Sequence, residues 1–166
     1  LKVAACKLTG VSLLRDSLGM QDYGAGHVLS FVDVGIVTTG PETALESARA
    51  IIGNLSCTDS DVIVAELGDG IMGEYGVANI LADTELMSRS ALMVLCANDP
   101  VGAWGAVRYM NEKFGLGVDL MSGPATDNDV GTRFIENTLG IDAINARLKS
   151  GALGEFVYRK LMEKAA

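Results

Sequence analysis

Apolar residues in this chain come in short runs separated by glycine- and hydroxyl-rich loops, and the runs follow two different periods. Lys2 to Leu8 (KVAACKL) is apolar at most positions and closes on Thr9-Gly10, the pattern of a buried strand. Val11 to Met20 then places Leu13, Leu14 and Leu18 on one side of a short amphipathic helix. After the Tyr23–Gly26 loop, His27 to Ile36 alternates as a strand, weakened by Asp33 and Gly35. Thr38-Thr39-Gly40-Pro41-Glu42 opens a helix with a hydroxyl cap, a proline in the first turn and a glutamate behind it. That helix is expected to end near Leu55.

Asp61 to Leu67 (DVIVAEL) is the strongest strand. It is β-branched and almost continuously apolar, as a parallel strand covered on both faces is. A glycine loop at 68–73 (GDGIMG) leads to a helical stretch from Glu74 to Met87. Ala91 to Cys96 is a further buried strand, after which Asn98-Asp99-Pro100 caps a helix reaching Phe114. Gly117 to Met121 is a short strand ending at Ser122-Gly123-Pro124, and Asp127 is expected to cap a helix over Val130 to Leu139. Two more amphipathic helices fill Ile141 to Lys149 and Leu153 to Lys164. Strands and helices alternating through short loops predict an α/β fold, a three-layer sandwich with a mostly parallel sheet flanked by helices. Lys2–Leu8, Val62–Leu67, Leu92–Cys96 and Val118–Met121 are expected in that one sheet. No repeat or linker divides the chain, which reads as a single domain over 1–166. Its apolar pattern is already under way at Val3, so a fragment of a longer protein is expected.

Composition narrows the partners. Hydrophobic residues make up 49% of the 166, enough for a sizeable core. Lys+Arg number 13 against 21 Asp+Glu, a net charge of −8 with no basic patch. Such a surface repels phosphodiester backbones and anionic lipid, which argues against nucleic acid and membrane partners. The longest apolar stretch, Ala91 to Ala97, is far short of the ~20 residues of a spanning helix. Cys6, Cys57 and Cys96 cannot all pair, and no two are spaced as zinc ligands beside the one histidine, His27. Buried Cys6 and Cys96 thiols, no disulfide and a reduced, cytoplasmic setting are expected.

Ligands of open parallel sheets bind beyond the carboxyl ends of the strands. Those ends carry Lys7-Leu8-Thr9-Gly10, Glu66-Leu67-Gly68-Asp69-Gly70, Asn98-Asp99 and Ser122-Gly123-Pro124. Lys7, Thr9, Glu66 and Asp69 are therefore expected in one cleft, with Asp99 and Ser122 at its rim. A charge inside an apolar strand is costly unless it is paired or bound. Lys7 and Glu66 either neutralise each other, or Lys7 meets a phosphate or carboxylate while Glu66 holds Mg²⁺. Gly68, Gly70 and Gly73 also spell G-x-G-x-x-G between a strand and an expected helix, the setting of a dinucleotide fingerprint. Against it, Glu66 and Asp69 would face the diphosphate, and the next strand-end acid, Asp99, lies later than the usual ~20 residues. His27 reads as structural or solvated. Ser12, Ser17 and Ser30 lack a nucleophile elbow, and Trp104 reads as a packing anchor.

The strand end Cys6-Lys7-Leu8-Thr9-Gly10 is similar to the K-P-V-x-S-G strand end of dethiobiotin synthetase-like P-loop NTPases, a branch that includes MinD-like and cobyric-acid-type proteins. Glu66-Leu67-Gly68-Asp69-Gly70 resembles that branch's E-G-x-G-G, and Ala91 to Gly102 with Val118 to Asn128 resembles its later strands. The resemblance implies Mg²⁺ on Glu66 and substrate or phosphate contacts from Lys7 and Thr9. It also implies nucleotide contacts around Gly68, Asp69, Gly70, Gly73, Asp99 and Ser122, with the base near Pro124 to Asn128. The sequence departs from the branch in lacking G-x-x-x-x-G-K-[ST]. The expectation is a nucleotide- or substrate-binding lobe acting with ATP and Mg²⁺ on a small carboxylate or amine. It would be ligase- or synthetase-like in a full-length protein and inactive toward ATP alone. A Rossmann-type NAD(P)-binding domain of an oxidoreductase and a non-catalytic α/β regulatory or assembly module are the alternatives, and homo-oligomerisation stays open.

Overall fold

In a computed structural model that describes residues 1–165, the first apolar run becomes β1 (Val3–Thr9), buried from Ala4 onward. Helix α1 (Leu14–Asp22) carries the chain back to β2 (His27–Ser30), which lies parallel to β1 with Cys6 beside Leu29 and Lys7 beside Ser30. The strand expected to reach Ile36 ends at Ser30. There the Asp33 carboxylate accepts from the Ser30 amide at 2.7 Å and hydroxyl at 3.2 Å, a local turn that competes with the ladder.

Helix α2 (Ala44–Leu55) places Ala44, Ala48, Ile51 and Leu55 on one stripe. That stripe packs with Ala4, Cys6 and Leu8 of β1, together with Phe31 and Ile80. Strand β3 (Val62–Leu67) lies parallel to β1 on its other side, giving the order β2-β1-β3. The helix expected over Glu74–Met87 is instead two short ones, α3 (Val77–Leu81) and α4 (Thr84–Met87). Gly76 delays the start: its φ is 82°, and a side chain there would meet Ala44 Cβ at 2.4 Å and the Gly40 carbonyl at 2.7 Å. Asp83 separates the two by capping α4 through the Leu86 amide at 2.7 Å.

Strand β3 departs from its expected burial. Ile63 and Leu67 pack on the core, but Val64 is 55% exposed and Ala65 and Glu66 are exposed as well. The strand is a sheet edge, and α1 packs over β1 and β2 rather than β3.

The residues up to Ser88 form one compact unit, and a second begins at Arg89. In the second, β4 (Val94–Cys96) leads to α5 (Pro100–Phe114), whose cap Asp99 accepts from the Gly102 amide at 2.8 Å. Strand β5 (Leu120–Ser122) is fully buried and is followed by a 3-10 turn over Pro124–Thr126. Helix α6 (Asp129–Phe134) is capped by Asn128 rather than Asp127 and passes into a π-helical turn over Ile135–Leu139. Where a helix was expected from Ile141, a two-residue β6 (Asp142–Ala143) pairs with β5, and α7 (Ser150–Ala165) closes the chain. The order is β4-β5-β6, again parallel.

The molecule is thus α/β with parallel strands, but the four strands expected in one sheet divide between two three-stranded sheets. Apolar runs specify that a segment is a strand; they carry no record of its neighbour. No disulfide forms among the described residues, and Cys6 is buried. Cys96, expected inside, is exposed because it occupies an outward position on edge strand β4. Among the described residues no helix is long and apolar enough to cross a membrane.

Candidate functional site

Lys7 is 5% exposed near the carboxyl end of β1, so its charge needs a partner. That partner is Asp16, in the first turn of α1, which accepts a hydrogen bond from Lys7 Nζ. A second ammonium hydrogen reaches the Val11 carbonyl at 3.3 Å, leaving one of three donors over. The hydrogen bond from Lys7 holds the Asp16 carboxyl below the ordinary carboxylate range, with the Lys7 and Arg15 charges adding to the effect. The Lys7–Glu66 ion pair considered from sequence is not formed. Lys7 and Glu66 are side by side in the β1–β3 register, yet the ammonium turns to the crossover helix. Sequence reasoning missed Asp16; the available signal was an acid at the start of the helix that follows the lysine strand.

The ends of β1 and β3 are tied together. The Thr9 hydroxyl donates to the Gly68 carbonyl at 3.0 Å. Gly10 has φ 114°, and a Cβ there would lie 2.0 Å from Asp69 Oδ2 and 3.5 Å from Lys7 Cε. The Asp69 carboxylate therefore rests over the Gly10 α-carbon, beside the Lys7 stem. Asp69 itself has φ 67°, a left-handed conformation uncommon for a residue other than glycine. A Cβ on Gly68 would similarly lie 3.6 Å from Glu66 Oε1 and 3.7 Å from Lys7 Cε. Lys7, Glu66 and Asp69 are thus brought close together.

Partial desolvation of its carboxyl, which lies over the loop at Gly68 although the residue as a whole is exposed, raises the Glu66 pKa above its ordinary value; the Asp16 and Asp69 charges add to the rise, and Lys7 opposes it. Glu66 and Asp69 make no ion pair or side-chain hydrogen bond with any described residue. On the opposite face of β1, burial pushes the Cys6 thiol up to about 12, with Glu66 contributing, so it stays protonated. Thr39, read from sequence as a helix cap, instead fastens the floor of the site. Its buried hydroxyl accepts from the Gly10 amide and donates to the Tyr75 carbonyl, both at 2.9 Å.

The G-x-G-x-x-G glycines follow β3, but the helix does not follow them directly. Helix α3 starts at Val77 and has five residues, so Gly73 does not open a helix. A Cβ on Gly73 would sit 2.7 Å from the Asp69 carbonyl, which is a requirement of the loop's own folding. Gly70, at φ 89°, likewise serves the turn.

The other expected residues belong to the second unit, and each has work within the fold. Asp99 caps α5. Buried Ser122 accepts from the Ala146 amide at 3.0 Å, and Asn128 Oδ1 accepts from the Val130 and Gly131 amides, each at 3.0 Å. Buried Asn145, unnoticed in the sequence, donates to Thr126 at 3.2 Å and Asp127 at 2.7 Å while accepting from the Arg147 and Leu148 amides. Nothing in its sequence surroundings distinguishes it from a loop asparagine. His27 Nε2 lies 3.4 Å from Asp59, which Lys2 also holds, an exposed pairing at the start of β2. Trp104 is 46% exposed rather than packed, with the Arg108 guanidinium 5.3 Å above its ring.

Among the described residues no group of three or more histidines, cysteines or acids is arranged to hold a metal ion. No family model matches the chain, and no curated protein or solved structure matches it either.

Proposed function

We propose that the carboxyl edge of the β2-β1-β3 sheet binds a nucleotide phosphate or small carboxylate with Mg²⁺. The chain would then serve as the nucleotide- or substrate-binding lobe of an ATP-dependent, ligase-like protein. The observation that carries this reading is a pair of carboxylates, Glu66 and Asp69, with no ion pair or side-chain hydrogen bond among the described residues, beside a buried lysine with a donor to spare. Desolvation raises the Glu66 pKa, the Asp16 and Asp69 charges add to the rise against the pull of Lys7, and a bound cation relieves the repulsion among the carboxylates. Mg²⁺ is ordinarily held by one or two protein carboxylates, with water and phosphate oxygens completing its shell, so no preformed cage is needed. Glu66 and Asp69 would hold the ion, which when bound neutralises phosphate charge. Lys7 would direct its free N–H toward an anionic oxygen, and Thr9 would keep Gly68 and the acidic loop in register with β1.

The test is a thermal-shift panel of ATP, GTP, NAD and NADP, each with and without Mg²⁺, on the chain and on Glu66→Gln. A nucleotide at ten times its Kd stabilises by about 1.4 kcal/mol, or roughly 3–6 °C for a chain of this size. The expected result is a Mg²⁺-dependent rise with ATP or GTP that Glu66→Gln abolishes. A rise that survives Glu66→Gln, or no rise with any Mg²⁺–nucleotide, sinks the reading.

A further inference from the structure

Helix α1 is fastened to the first sheet by charge rather than by apolar burial. None of its nine residues is buried. Leu14 and Leu18 face outward, 74% and 46% exposed, while Asp16, Ser17 and Met20 are among its partly covered positions. A surface helix ordinarily carries the opposite arrangement, apolar stripe inward and polar face outward. Gly19, in the middle of α1, lowers the helix's own stability further. Backbone bonds pin the flanks: the Ser12 amide donates to the Val37 carbonyl at 3.0 Å, and the Gly26 amide to the Val3 carbonyl at 2.8 Å. Between those pins, the side-chain hydrogen bond that joins α1 to the sheet among the described residues is the one from Lys7 to Asp16.

We propose that Asp16 is a built-in competitor for the ligand: its carboxylate occupies Lys7, and an anionic oxygen that takes Lys7 releases α1 from the sheet. The inference rests on Lys7 as the anion contact of the proposed function and adds how that site is regulated. A ligand phosphate or carboxylate offers Lys7 the same charge-assisted bond that Asp16 does. Asp16 neutralises the ammonium and repels any anion brought to its third N–H, so the two oxygens compete for one charge. Because α1 buries no residue, its release exposes little apolar surface. Gly24, at φ 98° just past its end, supplies a turn about which the helix can swing. The latch is separate from the cation-holding acids, since Glu66 belongs to β3 and Asp69 to the loop after it. Linkage makes the coupling reciprocal: whatever factor Asp16 takes from anion affinity, a bound anion takes from the closure of α1.

The experiment uses the whole chain and Asp16→Asn, which keeps a hydrogen-bond acceptor for Lys7 without its charge. Mg²⁺–ATP and succinate serve as the phosphate and carboxylate probes, titrated by calorimetry, and the one that binds identifies the class of anion. The expected result is that this probe binds Asp16→Asn about tenfold or more tightly than the wild-type chain. In the wild-type chain, a saturating amount of it should speed amide hydrogen exchange across 14–22 by a similar factor without speeding it across 3–9. An ordinary ligand would only protect. Equal or weaker binding by Asp16→Asn, or exchange at 14–22 that is unchanged or slowed by the bound probe, overturns the latch and leaves the nucleotide reading standing. Failure of both probes to bind either chain overturns the two together. Because hydrogen exchange reads the unmodified chain, a variant that misfolds does not remove the test.

Discussion

At the carboxyl end of the β4-β5-β6 sheet, Asp99 and Asn128 cap helices, Ser122 receives the Ala146 amide, and Asn145 knits the 124–128 turn to the loop after β6. At the carboxyl end of the β2-β1-β3 sheet, Thr9 and Thr39 perform the same kind of loop fastening. Something is left over there: a buried lysine held by one carboxylate, and two more carboxylates with no ion pair or side-chain hydrogen bond among the described residues. The two edges share a layout and differ in satisfaction. Polar residues at strand ends are therefore a poor guide to a ligand site until their partners are counted, because loops and helix starts need polar atoms of their own.

That difference can be broken from either side, and the largest effect belongs to the lysine. Asp16→Ala strands the Lys7 charge inside the fold and should cost about 3 kcal/mol, seen as a melting temperature roughly 6–12 °C lower. Adding Lys7→Met should restore most of that loss, since an apolar replacement of both partners is close to neutral. The pair also sets an acid limit. The Asp16 pKa is depressed in the folded state, so its contribution is complete above about pH 4 and disappears as pH falls through the folded value. Asp16→Asn should lack that acid-side loss, and a denaturation series across low pH checks it.

Next is Asn145→Ala, which leaves buried groups without partners and should cost about 2 kcal/mol by urea denaturation. Asn128→Ala removes the cap of α6 and should cost about 1 kcal/mol. A cost near zero for both would mean that the second edge is less committed to structure than its hydrogen bonds suggest.

The smallest effect on stability is the most telling. Glu66→Gln should change stability at neutral pH by less than about 0.5 kcal/mol, because Lys7 relies on Asp16. The Glu66 pKa is raised on folding, so the wild-type chain loses stability as pH climbs from about 4 through the folded value. Glu66→Gln should flatten that slope. A large destabilisation by Glu66→Gln would instead show that the Lys7 charge depends on Glu66 as well as on Asp16.

Much of the architecture was legible from residue order. The strand over 3–9, the helix ending at Leu55 and the helix over 100–114 follow from apolar runs, a period near 3.6 and the Asp99-Pro100 start. The failures share a cause. Ser30 stops β2 through the Asp33 carboxylate, Gly76 delays α3 because Gly40 and Ala44 occupy the space of a side chain, and β6 exists because β5 offers it an edge. Each depends on a partner that local propensity does not contain.

The candidate site divides in the same way. Sequence by itself determined that charges would sit at the end of apolar strands, since a lysine in KVAACKL and a glutamate in DVIVAEL are visible in the letters. It also determined that a glycine-rich loop would follow the second. Only the tertiary structure decided that Lys7 answers to Asp16, that Glu66 and Asp69 form no ion pair among the described residues, and that VIVAEL is an edge of its sheet. The physical reason is that periodicity reports which way a side chain points relative to its own backbone. Pairing of charges and strands is settled by which other element arrives there, through contacts between residues distant in the chain.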